Sequence, residues 1–139
     1  MKLLSIRGRL INKNVFRFKM DWDKPSRSNI QFQVKQFLKQ FWKNHDCYEE
    51  FPVFGCRMKV DIINFTKRIA VEVNGNQHSS YNKFFHNNSR LNYLNSIKRD
   101  YQKAEWLDKN SIQLIELEMK DLNKLTYDYI NHTFHISLV

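Results

Sequence analysis

Two acidic residues stand where acids are expensive. Glu72 lies at the centre of the apolar run IAVEV, and Asp61 sits in MKVDII between Val60 and Ile62. Strand alternation puts Ala70, Glu72 and Asn74 on one face, and Ile69, Val71 and Val73 on the other. In a sheet covered by helices both faces are buried, so an ionised carboxylate there needs compensation. A hairpin turning through Asn64 and Lys67 brings Asp61 close to Glu72. Two carboxylates held together repel, and the remedies are a shared proton, a basic partner or a divalent cation. Asp100 is a third case: on a helical wheel it lies about 60° from Ile97 and about 20° from Leu107, on the core side. Asp108 falls near that face too, but in the last turn. Each acid taken singly reads equally well as half of a salt bridge. Three together, followed by Asn74-Gly75-Asn76-Gln77-His78, favour a site. Near neutral pH an imidazole at His78 can take a proton from water or hold a phosphate.

The elements that must position these groups are legible from periodicity. The first 25 residues mix apolar and basic residues at strand spacing, and read as a basic N-terminal arm or hairpin. Ser28, with Gln31 three residues on, fits a capping box. Ile30, Val34, Phe37, Leu38 and Phe41 then repeat at helical spacing, which predicts a helix of about 16 residues ending near Asn44. CYEEFPV, CRMKVDIIN and KRIAVEVN read as three consecutive strands, an antiparallel meander. Residues 79 to 88 read as a loop. A second helix is expected from about Ser89 to Lys109, with Tyr93, Leu94, Ile97, Tyr101, Ala104 and Leu107 on one broad buried face. SIQLIEL reads as a fourth strand, and MKDLNKLTYDYINHTF as a last helix carrying Leu122, Leu125, Tyr129 and Ile130. This order predicts an α+β fold: a central mixed sheet of about four strands flanked by helices.

Composition bounds the partners. The chain has 139 residues, 42% of them hydrophobic, enough for one core, and the expectation is a single domain over 1–139. No run approaches a membrane span, and arginines interrupt MKLLSIRGRL before a signal sequence develops, so a soluble cytoplasmic protein is expected. Cys47 and Cys56 are too few for a disulfide framework, and with His78 and His86 they lack the short spacing of zinc motifs. Net charge is +9, and the first 30 residues alone hold eight Lys or Arg against two Asp. That asymmetry favours a polyanion, with Arg7, Arg9, Lys13, Arg17 and Lys19 as candidate phosphate contacts. Tyr81, Lys83, Phe84, Phe85 and His86 read either as groove-entering and base-stacking residues or as a loop pinned to the core.

Three blocks together carry a resemblance: VDIIN with Asp61, IAVEVNGNQH with Glu72, Gln77 and His78, and IKRDYQKAEWLDKNSIQLIEL with Asp100 and Lys103. Over about residues 26 to 118 the chain resembles the Vsr-like branch of the PD-(D/E)XK nuclease superfamily. That branch includes very-short-patch repair endonucleases and phage-borne homing endonucleases with an E-D-x-H-D site. The resemblance implies a restriction-endonuclease-like core and a Mg²⁺-dependent endonuclease, with Mn²⁺ as a possible substitute, acting on double-stranded DNA in a host cytoplasm. It implies that the chain is a phage-encoded, homing-type enzyme, that Asp61 ligates the cation, that Glu72 helps hold the metal or its water, and that His78 is the general base. Asp100 would orient His78 or close the site, Gln77 would position water or a phosphate, and Lys103 would contact DNA. One such core carries one active site, so a double-strand cut requires a homodimer or two sequential nicks.

Two positions depart from the pattern. The lysine of the family's E-x-K falls at Asn74, and its first-helix glutamate falls at Gln31, a neutral residue already read as the capping partner of Ser28. Glu49 or Glu50, in YEEF, could supply the missing carboxylate; the sequence leaves open which of them faces the site. The same acids would serve a junction resolvase or mismatch nickase. A nucleic-acid-binding protein that keeps the fold without catalysis is the third reading.

Overall fold

The computed structural model describes residues 1–74 and 90–139. Its central feature is a four-stranded sheet of β3 (Cys47–Pro52), β4 (Lys59–Asn64), β5 (Ile69–Val73) and β6 (Gln113–Leu117), in that spatial order. The first three strands form an antiparallel meander, and β6 runs parallel to β5. A parallel neighbour requires a crossover, and the helix α2 (Arg90–Lys109) lies in that connection. The expected α+β architecture with a mixed sheet is therefore what the chain adopts.

Both faces of the sheet are covered. On one, Ile62, Ile69, Val71, Ile115 and Leu117 pack with Val34, Leu38 and Trp42 of α1 (Asn29–Trp42) and Ile130 of α3 (Tyr127–Phe134). On the other, Phe51, Val60, Ile63 and Ala70 pack with Trp106 and Leu107 of α2 and with the N-terminal segment. That segment forms a hairpin, β1 (Lys2–Leu4) with β2 (Leu10–Asn12), followed by a 3₁₀ turn at Phe16–Phe18. Leu3 and Val15 are buried, and the Trp106 indole donates to Leu4 O at 2.6 Å. Of the two readings of residues 1–25, arm or hairpin, the hairpin is seen, packed into the second core.

Helix α1 starts where its cap predicts: Ser28 Oγ accepts from Gln31 N at 3.1 Å. The reciprocal half of a capping box is replaced, because the Gln31 amide reaches Glu49 instead. The last expected helix divides. A 3₁₀ segment at Met119–Lys124 gives way at extended Leu125, and Thr126 caps α3 by accepting from Tyr129 N at 3.1 Å.

The buried face expected along all of α2 is corrected. Trp106 and Leu107 are buried, whereas Leu91 (65% exposed), Leu94 (49%), Ile97 (41%) and Tyr101 (69%) are open. Length explains it. Twenty residues of helix run about 30 Å, while the five-residue β5 runs about 17 Å, so the first turns of α2 overhang the sheet. No helix among the described residues is long and apolar enough to cross a membrane.

Candidate active site

The site begins where two strands part. Strands β4 and β5 pair at Ile62–Val71, Ile63–Ala70 and Asn64–Ile69, so the next rung would match Asp61 with Glu72. There side chains take over from the ladder. Asp61 N–H donates to Glu72 Oε2 at 2.9 Å, and Val73 N–H donates to Asp61 Oδ2 at 2.9 Å. Each carboxylate satisfies a backbone amide of the opposite strand that the lost rung would otherwise strand. Both acids are buried, at 6% exposure each.

Strand β3 contributes a second irregularity. Tyr48 and Phe51 share one core, as do Val60 and Ile63, although an odd separation should put each pair on opposite faces. The reversal falls at Glu50 and Asp61, which the flanking pairs Glu49–Ile62 and Phe51–Val60 place opposite each other. Glu50 adopts φ +51°, a left-handed conformation that a non-glycine residue holds at a cost of about 1–2 kcal/mol. The reversal brings Glu49, Glu50, Asp61 and Glu72 to one end of the sheet, with Asp100, Lys103 and Asn74 in the same cleft of about 1020 Å³.

Basic groups answer these acids unevenly. Lys103 on α2 pairs with Glu72 Oε1. Arg27, just ahead of α1, spans two acids, with Nη2 3.3 Å from Asp61 Oδ1 and Nε 3.4 Å from Glu50 Oε1. Glu49 is bound more closely: Oε1 accepts from Lys35 Nζ at 2.9 Å, and Oε2 from Gln31 Nε2 at 3.0 Å and from Ser26 Oγ. Lys35 is fully buried and also donates to Lys24 O at 2.7 Å. Burial, and then the charge of Glu72, push the Asp61 carboxyl up to about 7; the Val73 amide and Arg27 pull the other way without cancelling them.

The donor set suits a hard divalent cation. Such an ion accepts one or two carboxylates and completes its shell with water and phosphate oxygens, and Asp61 and Glu72 offer two carboxylates on neighbouring strands in the lining of one cleft. Acceptors are in excess beneath it: Gln31 Oε1 is buried with no donor among the described residues. No group of three His, Cys, Asp or Glu poised around one point occurs among the described residues, so the remaining ligands would come from solvent, substrate or a shift of the neighbouring Glu50.

The expected site residues fall into three groups. Asp61 and Glu72 are in contact, and Asp100, Asn74, Glu49 and Glu50 line or underlie the same cleft. Gln77, His78 and Lys83, with Tyr81, Phe84, Phe85 and His86, lie outside the described residues. The proposed phosphate contacts divide. Arg17 and Lys19 line the cleft; Arg7 and Arg9 border a separate hollow with Ser5 and Gly55, and Lys13 sits 5.2 Å from the Phe54 ring. Lys103, read as a DNA contact, is engaged with Glu72. Cys47 is buried and donates to Trp42 O, and burial pushes its thiol up to about 12; Cys56 is a separate free thiol.

Sequence reasoning passed over Arg27 and Lys35. A signal for the second existed: Gln31 and Lys35 repeat at helical spacing with Val34, Leu38 and Trp42, and all five are buried. A lysine inside an apolar stripe asks for an acid opposite. Arg27 carried no comparable signal, being one base in a basic segment.

Among known proteins, the chain is similar to "Uncharacterized protein 033L" of Invertebrate iridescent virus 3, with 30% identity over 101 residues. The match covers 70% of this chain and 52% of that protein, so the chain spans about half the length of the relative it matches. No family model and no solved structure matches the chain.

Proposed function

We propose that the chain is a Mg²⁺-dependent endonuclease that hydrolyses phosphodiester bonds in double-stranded DNA, a virus-borne homing-type enzyme of the PD-(D/E)XK kind that its motifs resemble. One observation carries the reading: a parted rung of a rigid sheet holds Asp61 and Glu72 against each other in a cleft rimmed by Arg17, Lys19, Arg57 and Lys59. Asp61 and Glu72 would hold Mg²⁺, with Mn²⁺ as a substitute. A cation bound there neutralises phosphate charge and lowers the pKa of a coordinated water. Lys103 orients Glu72, and its ammonium is the cationic group nearest the carboxylates from the α2 side, a place for a phosphate oxygen as negative charge builds. The rim bases fix the backbone without reading sequence. His78 remains the proposed general base and Gln77 its neighbour in positioning water or phosphate, while Asp100 closes the cleft from α2. A homodimer or sequential nicking completes a double-strand cut. The similarity to an iridovirus protein supports a viral origin.

The engagement of both carboxylates by Lys103 and Arg27 favours a second reading, a DNA-binding protein of the same fold without catalysis. Incubating supercoiled plasmid with the protein, in Mg²⁺ or in EDTA, separates the two. The enzyme nicks only in Mg²⁺, and Asp61→Asn lowers the rate at least about a hundredfold, the scale of removing an electrostatic group from a hydrolytic site. Binding with no nicking of plasmid, branched or mismatched DNA at any Mg²⁺ concentration leaves the non-catalytic reading.

A further inference from the structure

We propose that Arg27 is the resident counter-ion of the site: braced on Glu50, it stands in for the divalent cation at Asp61, and when the cation arrives its guanidinium is released to a phosphate of the nucleic acid in the cleft. This rests on the metal-dependent reading above and adds to it a regulation of metal binding.

The geometry of the two cationic side chains differs in the way an exchange requires. Lys103 is largely covered, with 17% of its side chain exposed, and holds Glu72 closely. The Arg27 side chain is 63% exposed, and its contacts of 3.3 and 3.4 Å are longer than the 2.7–2.9 Å or so of a well-formed charge-assisted bond. An exposed, loosely seated ion pair adds little to stability, so breaking it costs little. The acid it shares with Asp61 is also the available one. Glu49 is saturated by Lys35, Gln31 and Ser26, while among the described residues Glu50 Oε1 receives only the long contacts from Arg27 and, at 3.4 Å, from Gln31 Nε2. The surrounding structure keeps Glu50 there, since its left-handed φ of +51° persists only where the surroundings demand it.

Charge then sets the direction of exchange. Among the described residues a single guanidinium over Asp61 and Glu50 under-neutralises those two acids, and Gln31 Oε1, with no donor there, shows the same excess of acceptors one layer down. A divalent ion supplies twice the charge at one point. Arg27, once displaced, remains in the cleft beside Arg17 and Lys24, on a short tether before α1. Cation and nucleic acid therefore assist each other: the cation frees a phosphate ligand, and by linkage the nucleic acid tightens the cation.

Two measurements test this on wild type, Arg27→Gln and Asp61→Asn. In calorimetric titration with Mg²⁺ alone, without DNA, Arg27→Gln is expected to bind about fivefold more tightly than wild type, because the competitor is gone, and Asp61→Asn to lose binding. With Ca²⁺ replacing Mg²⁺ to prevent turnover, the salt dependence of binding to a short duplex should be steeper in wild type than without Ca²⁺ by about one phosphate contact, a difference absent in Arg27→Gln. If Arg27→Gln binds Mg²⁺ no better than wild type, or the added contact persists in it, while Asp61→Asn still abolishes Mg²⁺ binding, the Arg27 proposal falls alone. If none of the three proteins binds Mg²⁺, the metal-dependent reading falls and takes this one with it.

Discussion

Two groups of largely covered acids share one sheet and are treated in opposite ways. Glu49, on the α1 face, meets a fully buried lysine, an amide and a hydroxyl, and Lys35 finds a second acceptor in Lys24 O. Its charges are matched inside the protein. Asp61, one strand away, meets another carboxylate, two backbone amides mediate the contact, and the guanidinium over it is mostly in solvent. The first arrangement is complete as folding leaves it, and the second, among the described residues, is short of positive charge. Burial alone does not separate the two acids; the state of their neutralisation does.

The largest break in this contrast is expected at Lys35. Lys35→Met leaves Glu49 buried with its main partner gone, and should lower unfolding free energy by about 3–5 kcal/mol in urea denaturation, with Lys35→Met/Glu49→Leu recovering most of it. A double variant no more stable than the single one would mean that the pair's neighbours, not its charges, hold that corner.

Asp61 should behave in the opposite sense. Burial and the neighbouring Glu72 push its carboxyl up to about 7 from a usual 3.8, so the folded protein binds more protons than the unfolded one between those values. Stability from this group is therefore full below the lower value and lost as pH rises towards the upper. Asp61→Asn removes that loss. Denaturation midpoints at about pH 4, 5.5 and 7.5 should show the variant gaining on wild type as pH rises. A parallel pair of profiles would place the ionised Asp61 in a fully compensated setting like that of Glu49.

A smaller effect sharpens the role of backbone strain. Glu50→Gly relieves the left-handed conformation and should stabilise the protein by no more than about 1 kcal/mol, while weakening Mg²⁺ binding through the lost carboxylate. A destabilised variant would show that the Arg27 and Gln31 contacts outweigh the strain.

Much of the scaffold was legible from local pattern. The apolar spacing after Ser28 marks α1, and the four strands fall within the expected segments. Asp61 and Glu72 stood out because each interrupts a run that a covered sheet would bury, and the turn between them implied that they meet. Helix α2 misled because periodicity reports which face is apolar, and not how much sheet lies beneath it. The site's chemistry was legible in its acids and obscure in its bases. A misplaced acid announces itself against an apolar background, whereas Arg27 is camouflaged in a segment rich in Lys and Arg.

From its sequence alone this protein has its elements, its basic bias and two acids that ordinary burial does not explain. These are local properties, set by side-chain type and the periods of helix and strand. Only the tertiary structure decided which cation answers which acid: Lys35 for Glu49, Lys103 for Glu72, and Arg27 across Asp61 and Glu50. Those pairings depend on strand register, on the reversal of faces at Glu50 and Asp61, and on the path of the chain into α1. Each joins residues 14 or more positions apart, beyond the reach of any local period.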